Sequence, residues 1–127
     1  MFTEADAKEA IQEVTKKYGT ATAQTVEKMM RLETAHFTSM QYRLTGTAGM
    51  EIGKWGKSVP NAGTVQMKEG GTGIKKTFLV WNPKNFALFL ADYITRYNGN
   101  FARWNSLQPD TQKEYANRVS KIKSRFV

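Results

Sequence analysis

Glu33 is the residue of this 127-residue chain best placed to do chemistry. Read as a helix, the segment from Val26 onward puts Val26, Met30, Glu33 and Phe37 at i, i+4, i+7 and i+11, so a carboxylate lies in line with an apolar stripe. A carboxylate held against apolar neighbours is pushed toward its protonated form, and a nearby helix C-terminus, where the dipole is negative, pushes the same way. A group that keeps its proton near neutral pH can serve as general acid for a poor leaving group such as a sugar oxygen. The competing reading is a helix edge with a solvated or ion-paired glutamate, because strongly perturbed carboxylates are uncommon.

Other chemistries are excluded by composition. The chain has no cysteine, which removes disulfides, thiol nucleophiles and thiolate metal sites, and its single histidine, His36, cannot form a multi-histidine metal centre. No metal and no cofactor are expected. Gly53-Lys54 runs into Trp55 and closes no phosphate-loop pattern, which argues against a nucleotide site. The acidic, polar opening residues do not read as a signal peptide, and no apolar run approaches the roughly 18 residues of a membrane span. A net charge of +8 is concentrated toward the C-terminus: residues 1–33 hold five basic and six acidic groups, residues 94–127 seven and two. That field suits a polyanion, whether nucleic acid, an anionic membrane surface or bacterial wall polymer.

The elements that must position Glu33 can be traced in order. With 40% hydrophobic and 12% aromatic residues, 127 residues suit one globular domain. Thr3 and Asp6 form a capping-box variant ahead of Ala7, Ile11, Val14 and Tyr18, and Gly19 stops that helix. Thr22 is expected to cap the second helix, which carries Glu33 and should end between Phe37 and Tyr42. Residues 44–63, with five glycines and one proline, read as a long loop of the kind that lines a site. Alternation over Thr64–Glu69 and Ile74–Trp81 around Gly70-Gly71-Thr72-Gly73 predicts a β-hairpin, with Glu69 at the end of its first strand. Asn82-Pro83 opens a helix with a wide apolar face through Phe86, Phe89, Leu90, Tyr93, Ile94 and Tyr97, ended by Asn98-Gly99. Pro109 opens a last helix whose Tyr115, Val119, Ile122 and Phe126 share a face, with Arg118, Lys121, Lys123 and Arg125 on the other. Trp55, Trp81, Tyr97 and Trp104 could stack on sugar rings, although Trp81 and Tyr97 also suit a core.

This order of parts resembles the glucosaminidase family of peptidoglycan hydrolases, similar in fold to lysozymes and lytic transglycosylases. Glu33-Thr34-Ala35-His36-Phe37 looks like the family's Glu-Ser/Thr-Gly-Trp/His motif, and Thr47-Ala48-Gly49-Met50-Glu51 looks like a degraded Asn-Leu-Phe-Gly-Ile-Lys. Phe78-Leu79-Val80-Trp81 and Ala91-Asp92-Tyr93 resemble the returning strand and following helix, while Tyr97-Asn98 and Gly46–Met50 also look like transglycosylase segments. The family's Gly-Tyr-Ala-Thr segment is missing, with Trp104-Asn105-Ser106 roughly in its place. The resemblance covers about residues 24–127.

It implies an α+β, mainly α fold: a lysozyme-like helical domain with a small β-hairpin lobe, spanning 1–127 as one domain. It also implies a general acid at Glu33, a second carboxylate at Glu69 with Glu51 as rival, and substrate contacts from His36, Tyr42, Met50, Trp55, Tyr97, Trp104 and Tyr115. The expected substrate is the β-1,4 glycan strand of peptidoglycan, cut as an N-acetylglucosaminidase, with lytic transglycosylase and muramidase as alternatives of the same fold. The rival from another class is a non-catalytic basic module that binds wall polymer or nucleic acid. Anionic wall polymers are expected on the basic C-terminal helix, and the protein is expected to be a monomer. Delivery in a phage virion, or residence in the host cytoplasm with release by another factor, fits the missing export signal.

Overall fold

The computed structural model describes residues 1–60, 62–68 and 73–127. Its elements run α1 (Glu4–Tyr18), α2 (Thr20–Glu33), α3 (Met40–Thr45), α4 (Ile52–Trp55), β1 (Gly63–Lys68), β2 (Lys75–Val80), α5 (Pro83–Arg96), a 3₁₀ turn (Phe101–Trp104) and α6 (Pro109–Ser120). With 57% of the chain helical beside one two-stranded antiparallel sheet, the class is α+β, mainly α. None of the described helices is long and apolar enough to cross a membrane.

The helical core forms as the apolar spacing predicts. The Thr3 amide donates to Asp6 Oδ2 at 2.8 Å and the Asp6 amide donates to Thr3 Oγ1 at 3.3 Å, closing the capping box of α1. Ala7, Ala10, Ile11 and Val14 of α1 and Ala23, Val26, Met29 and Met30 of α2 are buried with Phe86, Ala87, Leu90, Ala91 and Ile94 of α5. Each large side chain buried there contributes about 1.5–3 kcal/mol. Asn82 caps α5 through its Oδ1, which accepts from the Asn85 amide at 2.8 Å, and Pro83 fills the first turn, where no amide is needed. Gly19 ends α1 at φ 91° and ψ 171°, a conformation reserved for glycine, and α2 starts directly after it at Thr20. Thr22 therefore lies inside α2 and is not its cap.

The segment expected as a continuous loop is more ordered. Residues 44–63 contain the end of α3, the single turn of α4 and a stretch that runs along β2. The Trp81 amide donates to Thr45 O and the Leu79 amide to Met50 O, both at 2.8 Å, and Glu51 bridges to Phe78. Gly46 makes this close passage feasible: at φ 74°, a Cβ there would lie 2.8 Å from Asn82 Cα. The hairpin pairs Gly63 with Val80 through Lys68 with Lys75, so β1 begins one residue before the expected Thr64, β2 lies just inside Ile74–Trp81, and Glu69 lies outside the described residues.

The last helix is shorter than its apolar spacing suggests. It ends at Ser120, and the tail turns back onto α2, so Ile122 and Phe126 do not continue a helical face. Phe126 instead stacks on Phe37, with centroids 5.8 Å apart and planes at 19°. Of the four basic residues expected along that helix, only Arg118 is within it; Lys121 caps it, and Lys123 and Arg125 belong to the tail.

Candidate active site

Glu33 is the last helical residue of α2, earlier than the expected end between Phe37 and Tyr42. Thr34 causes the stop. Its hydroxyl donates to Met30 O at 2.6 Å and accepts from the Phe37 amide at 2.8 Å, giving the backbone a local alternative to the next helical turn. Ala35, His36 and Phe37 then take φ values of 50°, 55° and 68°, left-handed without a glycine among them. Each costs about 1 kcal/mol or more, so surrounding contacts must fix this turn. They do: the His36 amide donates to Arg31 O at 2.8 Å, the Ser39 amide donates to Thr34 O at 2.9 Å, and the Phe37 ring is buried. The carboxylate thus stands at a helix C-terminus, directly before a strained and tightly held turn.

Glu33 opens into a cavity of about 260 Å³ lined also by Ala48, Gly49, Met50, Glu51, Lys54, Trp55, Trp104 and Asn105. Four separate segments meet here: the end of α2, the glycine-containing stretch before α4, α4 itself and the 3₁₀ turn. Trp55 and Trp104 stack with centroids 4.5 Å apart and planes 15° apart, and both pack edge-on against Phe89 of α5. One face of each tryptophan is covered by the other, so any sugar ring must use a free face or an edge. A larger hollow of about 440 Å³ lies between α1 and the start of α5, lined by Asp6, Glu9 and Glu13 among others. Its acids cap α1, pair with Lys16 or stand at the surface, so volume does not select that hollow.

Electrostatics separates Glu33 from an ordinary surface acid. Burial pushes its carboxyl up from the usual 4.5 to about 7, against the opposing pull of the Tyr115 hydroxyl, Arg118 and Lys54. The Tyr115 hydroxyl donates to Glu33 Oε2 at 3.0 Å. Tyr115 is itself buried on α6, and burial followed by the nearby Glu33 raises its own pKa, so it remains a donor at any working pH. One oriented hydrogen bond fixes the carboxyl without supplying the several donors that would keep it ionised.

No protein-family model, curated protein or solved structure matches the chain. The likeness of 33–37 to a glucosaminidase motif therefore rests on those residues alone, and the site must be judged by its geometry.

The structure brings together part of the expected set. Glu33, Met50, Trp55 and Trp104 line one cavity, and Tyr115 reaches it through Glu33. Glu51 lines it as well, 3.2 Å from Lys76 Nζ, which makes it the second carboxylate among the described residues. Three expected contacts belong elsewhere. His36 is exposed on the left-handed turn, with Nδ1 3.5 Å from an Arg31 nitrogen. Tyr42 is fully buried and donates its hydroxyl to Thr3 O, tying α3 to the N-terminus. Tyr97 packs on Tyr93 at 4.7 Å and lies under the Arg103 guanidinium at 4.2 Å, outside the cavity. Lys54 and Asn105 are cavity residues that motif reasoning passed over; both neighbour a tryptophan already marked as a sugar-stacking candidate.

A second buried acid, Glu27, also escaped the sequence reading. It is fully buried, pairs with Arg31 at 2.7 Å, and accepts from Ser124 Oγ at 2.7 Å, the Arg125 amide at 2.7 Å and the Phe126 amide at 3.0 Å. The Arg31 guanidinium packs against both rings of the Phe37–Phe126 stack, 5.0 and 4.5 Å from their centroids. The pair ties the C-terminal tail to α2 six residues before Glu33.

Proposed function

We propose that the protein cleaves the β-1,4 glycan strand of peptidoglycan, with Glu33 as general acid. The observation that carries this reading is a carboxyl that holds its proton to about pH 7 inside a cavity walled by two stacked tryptophans. The protonated oxygen of Glu33 would donate to the glycosidic oxygen as the bond to the anomeric carbon breaks with oxocarbenium character. Tyr115 would orient the carboxyl through the other oxygen and stabilise the carboxylate left behind. Glu51 would then face the cationic centre or a water attacking it, with Lys76 holding its carboxylate in place. The volume of about 260 Å³ is slightly below the range of about 300–1,000 Å³ usual for small-molecule sites. It suits one ring of a polymer whose remainder crosses the surface.

A transglycosylase reading is kept for one reason: Glu51 is engaged by Lys76. If that pairing prevents it from activating water, an internal hydroxyl of the sugar attacks instead and leaves an anhydro end. Mass analysis of released muropeptides separates reducing from anhydro ends. A purely binding role for the basic surface gives no reason for a protonated acid in the cavity.

Glu33→Gln is the test. It keeps the shape and the bond from Tyr115 while removing the transferable proton, and should lower clearing of purified cell walls by about 10²–10⁴-fold. Unchanged clearing with a folded variant would refute the assignment.

A further inference from the structure

We propose that Lys54 is a specificity-determining residue that selects glycans bearing a carboxylate on the sugar bound beside Trp55 and Trp104. This inference rests on the glycan-cleaving reading above and adds to it which chemical feature of the glycan is read.

The charges around the cavity single out Lys54. Among the described residues, its wall carries three ionisable side chains, Glu33, Glu51 and Lys54. Glu51 is ion-paired with Lys76 at 3.2 Å. Glu33 is driven toward its neutral form by burial. Among the described residues, Lys54 has no ion-pair partner. Among the described residues that line the cavity, Lys54 is therefore the one cation without an ion-pair partner, next to an acid that is uncharged when poised to act.

Position turns that charge into a reader of substituents. Lys54 Nζ lies over the Trp55 ring, 5.1 Å from its centroid, so the ammonium is held by the ring's π face beside the Trp55–Trp104 stack. A sugar resting on that pair would project a side substituent toward Nζ. A carboxylate gains a charge-assisted hydrogen bond there, whereas a hydroxyl or neutral amide gains only an ordinary one. Lys54 is exposed at the rim, so its ammonium keeps part of its hydration and the preference is moderate.

In peptidoglycan such a carboxylate has two sources: the lactyl ether of the acidic amino sugar when it carries no peptide, or an acid of the stem peptide when it does. The measurement is binding to the Glu33→Gln protein, in which loss of Lys54 cannot act by changing the charge of Glu33. Four ligands are compared: a neutral chitin oligosaccharide, a peptide-free glycan with free lactyl carboxylates, the same glycan with those carboxylates converted to methyl amides, and a peptide-bearing glycan.

The proposal expects the free-acid glycan to bind about fivefold more tightly than its methyl amide, a ratio that falls to about one in Lys54→Met and persists in Lys54→Arg. Tighter binding of the peptide-bearing glycan than of the methyl amide, again lost in Lys54→Met, assigns the contact to the stem. Equal affinity for all four ligands, or a preference that survives Lys54→Met, overturns the proposal. The parent protein is tested in parallel for release of glycan ends: cleavage without charge preference sinks only the role of Lys54, while charge preference without cleavage sinks only the proposed activity.

Discussion

Glu27 and Glu33 stand on the same helix, six residues apart, and burial presses on both in the same direction. They reach opposite states. At Glu27 the rise expected from burial is outweighed by the Arg125 amide, Arg31, Ser124 and the Phe126 amide, and the carboxyl is held below its usual pKa. At Glu33 one hydroxyl and two more distant cations oppose burial, burial wins, and the carboxyl stays protonated to about pH 7. The number of donors decides, and the fold places them unevenly: the returning tail gives one glutamate three donors beside Arg31 and leaves the other facing a cavity. One acid fastens the end of the chain; the other keeps a proton available.

The largest effect expected from breaking this contrast is at Glu27. Glu27→Gln removes the buried counter-charge of the Arg31 guanidinium, only 2% exposed, and leaves it the solvent-exposed Glu4 at 3.7 Å, which should cost about 3–5 kcal/mol in urea unfolding. A loss below 1 kcal/mol would mean that the tail does not engage Glu27 in solution.

Next in size is the pH dependence of stability, where the two acids have opposite signs. The folded protein keeps the Glu33 proton to about pH 7, while the unfolded chain releases it near 4.5. Stability should therefore fall as pH rises through that window, by at most about 3 kcal/mol. Glu33→Gln removes this slope. The lowered pKa of Glu27 works the other way: its contribution is present above 4.5 and is lost as pH falls through its folded value. Urea midpoints at a series of pH values in the parent and in Glu33→Gln check both signs, since the acid-side loss should remain in the variant.

A smaller change sharpens the comparison from the Glu33 side. Tyr115→Phe removes the only side-chain hydrogen bond to that carboxyl among the described residues, so its pKa should rise further. The basic limb of the wall-clearing profile, where the acid loses its proton, should move up by about one pH unit or less. A downward shift would show that Tyr115 favours the protonated form.

Much of this arrangement is legible in local sequence, because its signals are local. Thr3 with Asp6, Gly19, Asn82-Pro83 and the alternation on either side of the turn each act within a few residues, and the elements they mark are present. Glu33 was conspicuous for a related reason, a charge interrupting an apolar stripe. The end of α2 was less visible: Thr34-Ala35-His36-Phe37 offers no glycine, and its left-handed path is held by tertiary packing of Phe37 against Phe126 and Arg31. Glu27 and Arg31 were hidden altogether. At i, i+4 they read as a surface ion pair, and only residues 97 to 99 positions later in the chain bury and satisfy the carboxylate. The same return of the tail cuts α6 short, where apolar spacing alone would have continued it to Phe126.

The most direct test is an NMR titration of the glutamate side-chain carboxyl carbons, with Glu33 and Glu27 assigned through Glu33→Gln and Glu27→Gln. Glu33 should titrate with a midpoint near 7 and Glu27 below the usual 4.5. A Glu33 midpoint at or below 4.5 in the folded protein would contradict the account, because no proton would then be held for the glycosidic oxygen.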